Sequence, residues 1–142
     1  MSNSVALVVS SVFALLALWH FYMAWLPGSG KVGAVPSVQG KPLFAPSRAA
    51  TIAVGVVLLL FAILVAATAR IVAVGMPEAT LSWLSFALAA GLLARAVGEF
   101  KYVGFFKRVR GSRFATLDTF VYSPLCLLLA VGVALVALHN GT

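Results

Sequence analysis

Four apolar runs dominate the chain and predict its fold before any single side chain is considered. From Val5 to about Leu26 there is no Lys, Arg, Asp or Glu. At the rise of an α-helix this run is roughly 33 Å long, and Pro27-Gly28 ends it. A second run lies between Arg48 and Arg70, whose charged heads can reach opposite interfaces, and its apolar character continues over 49–74. The third opens at Pro77-Glu78, with a proline suited to the first helical turn and an acid near the positive end of the helix dipole, and closes near Gly98. The fourth offers two starts. Ser123-Pro124 reads as an N-cap and first-turn proline, but a helix from Pro124 to Leu138 is only about 22 Å long, against roughly 30 Å of hydrocarbon. Starting at Asp118 restores about 31 Å. The expectation is therefore an all-α, integral membrane four-helix bundle in a single domain spanning 1–142, with spans at about 5–26, 49–74, 77–98 and 118–138. The last is capped near Asp118 and bent at Pro124, where the proline frees the carbonyl of Phe120.

Composition narrows the class. Of the 142 residues, 63% are hydrophobic and 9% charged, against roughly 45–50% and 25% in soluble domains. This excludes a disordered chain and an ordinary soluble enzyme. The first run has no basic residue before it and exceeds a usual signal-peptide core, so it reads as a retained span. One cysteine, Cys126, excludes an internal disulfide framework and a multi-cysteine zinc site.

Charge then orients the bundle. Of the ten Lys and Arg residues, nine (Lys31, Lys41, Arg48, Arg95, Lys101, Lys107, Arg108, Arg110 and Arg113) fall at the end carrying the 1–2 and 3–4 connections, and Arg70 alone at the other. The positive-inside rule predicts the 27–47 loop and the basic, aromatic connection 99–117 in the cytoplasm and both termini outside. The net charge of +7 is thereby read as a topology determinant and a contact for anionic lipid headgroups rather than for nucleic acid. Within the connection, Phe105, Phe106 and Phe114 interleave with the bases without forming separate helical faces.

The 27–47 loop holds four of the six prolines and has no helical or strand period, as expected of a lid or binding segment. Gly28-Ser29-Gly30-Lys31 is no phosphate loop. Its first required glycine position is Trp25, and Val32 replaces the needed Ser or Thr.

Polar residues inside the runs gather at one depth. His20 lies in the last turns of span one, Arg95 and Glu99 near the end of span three, and Asp118 and Tyr122 at the start of span four. Arg95 and Glu99 share a helix face with Gly91 and Gly98; Asp118, Tyr122 and Cys126 form a second line. If spans one, three and four are neighbours, these residues surround one cavity near the cytoplasmic leaflet. His20 would then be an acid or base, Glu99 or Asp118 its partner, and Tyr122 a donor, with Trp19, Trp25, Arg95, Lys101 and Cys126 as binding residues for a lipophilic molecule. The alternative is a structural network, with Arg95–Glu99 and Arg113–Asp118 neutralising one another, Asp118 serving as a cap, and His20 sitting beside the interfacial anchors Trp19, Tyr22 and Trp25. One interior histidine, one cysteine and three acids specify no metal site, and no cofactor motif is present. Ala90, Ala94 and Gly98 form a small-residue ridge suited to homo-oligomers or a membrane-complex partner. Transport would need a dimer.

Arg95-Ala-Val-Gly-Glu-Phe-Lys-Tyr-Val-Gly-Phe-Phe-Lys-Arg108, followed by Arg113-Phe-Ala-Thr-Leu-Asp-Thr-Phe-Val-Tyr-Ser-Pro-Leu-Cys126, joins Trp19-His20 and Gly40-Lys-Pro-Leu-Phe-Ala-Pro46 in a pattern that resembles the DUF3995 family of small four-span bacterial membrane proteins. The Tyr122-Ser-Pro-Leu-Cys126 segment is its most specific part. Where the family often has Asp-Phe-Arg, this chain has Glu99-Phe100-Lys101, with matching charge and different reach. The resemblance implies the four-span topology and carries no reaction.

The orientation has a direct test. In intact cells, a membrane-impermeant thiol reagent should label a cysteine introduced at residue 140 and leave one at residue 110 unlabelled, in a background lacking Cys126. The reverse pattern would invert the topology.

Overall fold

A computed structural model describes residues 2–26, 34–39 and 41–140. Pro27-Gly28, the Gly28–Lys31 segment and Gly40 lie outside them. The described residues form α1 (Ser2–Trp25), a two-residue hairpin of β1 (Ser37–Val38) and β2 (Lys41–Pro42), α2 (Arg48–Thr68), α3 (Glu78–Val97), α4 (Arg113–Leu117) and α5 (Ser123–Asn140). A π-helical turn over Asp118–Tyr122 fuses α4 to α5, so that Arg113–Asn140 is one continuous helix. Among the described residues, four helices are long and apolar enough to cross a membrane. The protein is a multi-pass membrane protein built as a four-helix bundle.

Lipid is as apolar as leucine, so burial alone does not hold such helices together, and close packing must. α1 packs chiefly on α2 and α3 on α5, with α1–α5 and α2–α3 contacts closing the ring and a smaller α2–α5 contact across it. α1 and α3 therefore occupy the long diagonal. The core runs through Ala6, Val9 and Phe13 of α1, Ala62 and Val65 of α2, Leu88 and Ala89 of α3, and Leu129, Val133 and Val136 of α5. Phe13 meets Phe61 edge-on at 5.7 Å between centroids. Glycines allow the closest approaches: a Cβ on Gly132 would stand 2.6 Å from Val9 Cγ2, and one on Gly55 2.5 Å from the Phe21 ring. Between α2 and α3, the hydroxyls of Thr68 and Ser85 are hydrogen-bonded at 2.8 Å, inside the apolar interface.

Two helix ends differ from expectation. α2 stops at Thr68 rather than near residue 74, because Arg70 takes φ +58° and Ile71 N–H turns back to the Ala66 carbonyl. Ile71 to Val74 continue the apolar run without continuing the helix. The fourth helix begins five residues before Asp118. Its N-cap is Ser112, whose Oγ accepts from Ala115 N–H at 3.0 Å, so Asp118 is no cap and lies inside the helix. The π turn falls immediately before Pro124, and Ser123 N–H reaches back five residues to the Asp118 carbonyl. Widening the ladder there gives room to a proline whose ring would otherwise press on the carbonyl four residues back.

The connection from α3 to α4 is folded rather than loose. Phe105 N–H donates to Ala96, Arg108 N–H to Phe100 and Val109 N–H to Lys101. Gly98 and Gly104, both at φ +89°, cross so closely that a Cβ on Gly98 would overlap the Val103–Gly104 backbone and one on Gly104 the Val97–Gly98 backbone. Gly104→Ala should lower stability by about 1–3 kcal/mol from backbone strain, with the clash adding to it. Gly75→Ala, at φ +67° with open space around it, should show the strain alone. Thermal unfolding of the two variants in the same detergent checks the difference.

Candidate functional site

The five sequence-predicted residues all lie at the bundle end that carries the two long connections, but they do not converge. Because α1 and α3 are diagonal, His20 faces α2 and the loop, whereas Arg95, Asp118 and Tyr122 lie at the α3–α5 seam. Glu99 belongs to neither group. It is exposed, and among the described residues its Oε1 accepts only the N–H of Tyr102 at 3.2 Å.

Asp118 organises the seam. Its side chain is fully buried. Oδ1 accepts from Arg95 Nη2 at 2.8 Å; Oδ2 accepts from Gly104 N–H at 2.7 Å and from Lys107 Nζ at 3.1 Å. Lys107, itself buried, spends its remaining donors on the Gly104 carbonyl at 3.0 Å and Thr119 Oγ1 at 2.6 Å. The ion pairs are thus Arg95–Asp118 and Lys107–Asp118, in place of the expected Arg95–Glu99 and Arg113–Asp118. Sequence reasoning missed Lys107, one of three bases in Lys107-Arg-Val-Arg110, because nothing in that run marks which base turns inward. Tyr122 packs its ring on Phe114, 5.9 Å between centroids, and Cys126 is half-buried one turn further on. Among the described residues, two buried polar atoms, Arg95 Nη1 and Ser123 Oγ, have no hydrogen-bond partner.

His20 occupies a different environment. Its Nδ1 lies 2.7 Å from the Leu16 carbonyl. A carbonyl only accepts, so Nδ1 must carry the proton, and in the neutral ring Nε2 is left as an acceptor. The ring lines a cavity of about 270 Å³ formed with Met23 of α1, Ala34, Val35, Phe44 and Pro46 of the loop, and Ala50, Thr51 and Val54 of α2. Thr51 Oγ1 is committed to the Ser47 carbonyl at 3.1 Å. Arg48 ties the neighbouring wall, donating Nε–H to the Ala24 carbonyl at 3.1 Å and lying 4.8 Å over the Trp25 ring.

The remaining expected binding residues face outward. Trp19 and Trp25, with the expected anchor Tyr22 between them, are 54–69% exposed along one side of α1, as interfacial anchors are. Lys101 is exposed and stacks on Tyr102 at 5.0 Å. Of the small-residue ridge, Ala90 and Ala94 are open on α3, while Gly98 turns into the connection and leaves the ridge incomplete.

This architecture defines a small four-span membrane protein with a charged seam on one side and an apolar cavity on the other. Residues 13–133, most of the chain, match DUF3995, described as a protein of unknown function, and the chain belongs to that family. No curated protein and no solved structure matches it.

Asp118→Asn should destabilise the protein by about 3–5 kcal/mol, the scale for leaving a buried charge without its partner. Glu99→Gln should stay within about 0.5 kcal/mol, as for surface substitutions. Thermal unfolding of both proteins in one detergent would reverse the assignment if Glu99→Gln were the more damaging.

Proposed function

We propose that the protein binds a lipophilic small molecule in the cavity at His20, at the cytoplasmic-leaflet end of a bundle set in the bacterial inner membrane. The observation that carries this reading is the cavity itself, an apolar chamber with one histidine whose Nε2 faces no hydrogen-bond partner among the described residues. Its volume of about 270 Å³ is just below the 300–1,000 Å³ typical of small-molecule sites. It suits a compact molecule or the end of a longer one.

The tautomer argues for a ligand with a hydroxyl or other donor, to which Nε2 would offer its lone pair. Binding is favoured over conversion because no acid stands beside His20: Asp118 is held by three donors at the α3–α5 seam, and Glu99 is on the exposed connection.

A diazirine-bearing dodecanol added to the detergent-solubilised full chain should saturably label peptides containing His20–Met23 and Ala50–Val54. Val54→Trp, which fills the chamber, should abolish that labelling. His20→Phe, which keeps the ring and removes the acceptor, should weaken it about 5-fold, the scale of one neutral hydrogen bond. Uniform labelling of the outward helix faces, unaffected by either substitution, would refute the proposal.

A further inference from the structure

A second cavity, of about 460 Å³, lies between the β1–β2 hairpin and the basic connection. It is lined by Ser37, Val38 and Gln39 on one side and by Val109 through Arg113 on the other. We infer that this cavity, with Arg110, Arg113, Ser112 and Ser37 turned toward it, binds the phosphate of an anionic phospholipid headgroup. The site is separate from the His20 chamber and does not rest on that reading.

Charge balance supplies the first argument. The chain has three acids. Glu78 is paired with Arg70 at 2.6 Å at the other end of the bundle, Asp118 is held by Arg95 and Lys107, and Glu99 Oε1 takes the Tyr102 N–H. Among the described residues neither Arg110 nor Arg113 has a carboxylate partner; Arg110 donates only Nε–H, to the Lys107 carbonyl at 3.4 Å, and Arg113 has no side-chain bond. Arg113 also stands in the first turn of the long fourth helix, where the dipole disfavours a cation and favours an anion beside it. Two guanidinium groups without a carboxylate partner, lining one concavity, make it attractive to an anion. Their planar forks match phosphate oxygens better than a point charge does.

The hydroxyls complete the set. Ser112 Oγ accepts from Ala115 N–H, which leaves its own proton free to donate, and Ser37 carries a second hydroxyl on the facing wall. The depth argues for lipid as the source. On the same connection Phe100 and Phe106 are 54% and 64% exposed and lie 6.5 Å apart, as aromatic anchors at the membrane interface do, and Val38 and Val109 give the cavity apolar edges. That is the level of phospholipid headgroups.

The experiment is native mass spectrometry of the detergent-solubilised full chain, titrated with short-chain phosphatidylglycerol, phosphatidylcholine or inorganic phosphate. The wild type should bind one phosphatidylglycerol in preference to phosphatidylcholine. Arg110→Gln/Arg113→Gln should weaken that first binding about 30-fold, and each single variant about 5-fold, the scale expected for two and for one basic side chain at an anionic surface. Lys101→Gln/Arg108→Gln removes the same net charge outside the cavity and should weaken it far less. Both cavity arginines are exposed, so helical content should be unchanged; if the double variant misfolds, the singles carry the comparison. Equal losses in the two double variants would show a diffuse surface potential and overturn the site, as would undiminished binding by Arg110→Gln/Arg113→Gln. Inorganic phosphate binding as tightly as phosphatidylglycerol would overturn the lipid as the source.

Discussion

The structure at the connection end depends on one carboxylate in an apolar setting. Asp118 is fully buried and receives three donors from two other segments: Arg95 from the end of α3, and Gly104 N–H and Lys107 Nζ from the connection. A charge at this depth is tolerated only when it is paired and its remaining lone pairs are satisfied. Meeting that condition draws Lys107 inward, brings the crossing of Gly98 and Gly104 against the fourth helix, and holds α3 beside α5. Such a triad is weak evidence for high stability, because the desolvation of each ion opposes the attraction between them. Its effect is to make one arrangement of these segments far better than the alternatives.

The same three bonds bear on chemistry, because they hold Asp118 in the seam and away from the His20 cavity. Two cations surround one anion, and among the described residues Arg95 Nη1 has no hydrogen-bond partner, while the Arg95 side chain is 35% exposed. His20 is placed differently: its ring is fixed by one bond to Leu16, and its other nitrogen borders an apolar chamber. The polar residues that share a depth thus divide into a closed charged seam between α3 and α5 and an open histidine between α1 and α2.

That division marks where sequence stops being informative. The four spans were legible because each hydrophobic run is about as long as a bilayer is thick, a constraint that acts on every helix separately. Shared depth followed from the same constraint, and Arg95 and Asp118 do meet. Which helices are neighbours is a property of the bundle and leaves no mark on the runs: α1 and α3 occupy a diagonal, and His20 is thereby parted from the acids proposed as its partners. Lys107 was equally hidden, since a buried lysine and a solvated one read alike in a basic run. Bilayer thickness requires the fourth helix to start by about Asp118, whereas Ser112 offers it a cap and the helix begins at Arg113, past the thickness it needs. Arg70 ended α2 through backbone geometry that its apolar neighbours concealed.

The loop before α2 connects the two cavities. Ala34, Val35, Phe44 and Pro46 wall the His20 chamber, whereas Ser37, Val38 and Gln39, only a few residues away, wall the basic cavity. The hairpin between them is two residues per strand, with Leu43 N–H donating to the Pro36 carbonyl at its base. A hairpin this short has little stability of its own and takes its position from what it packs against. The strap therefore takes its position from two neighbours: its flanking residues from α1 and α2 around the His20 cavity, and its hairpin from the basic connection, with no residue common to the two walls.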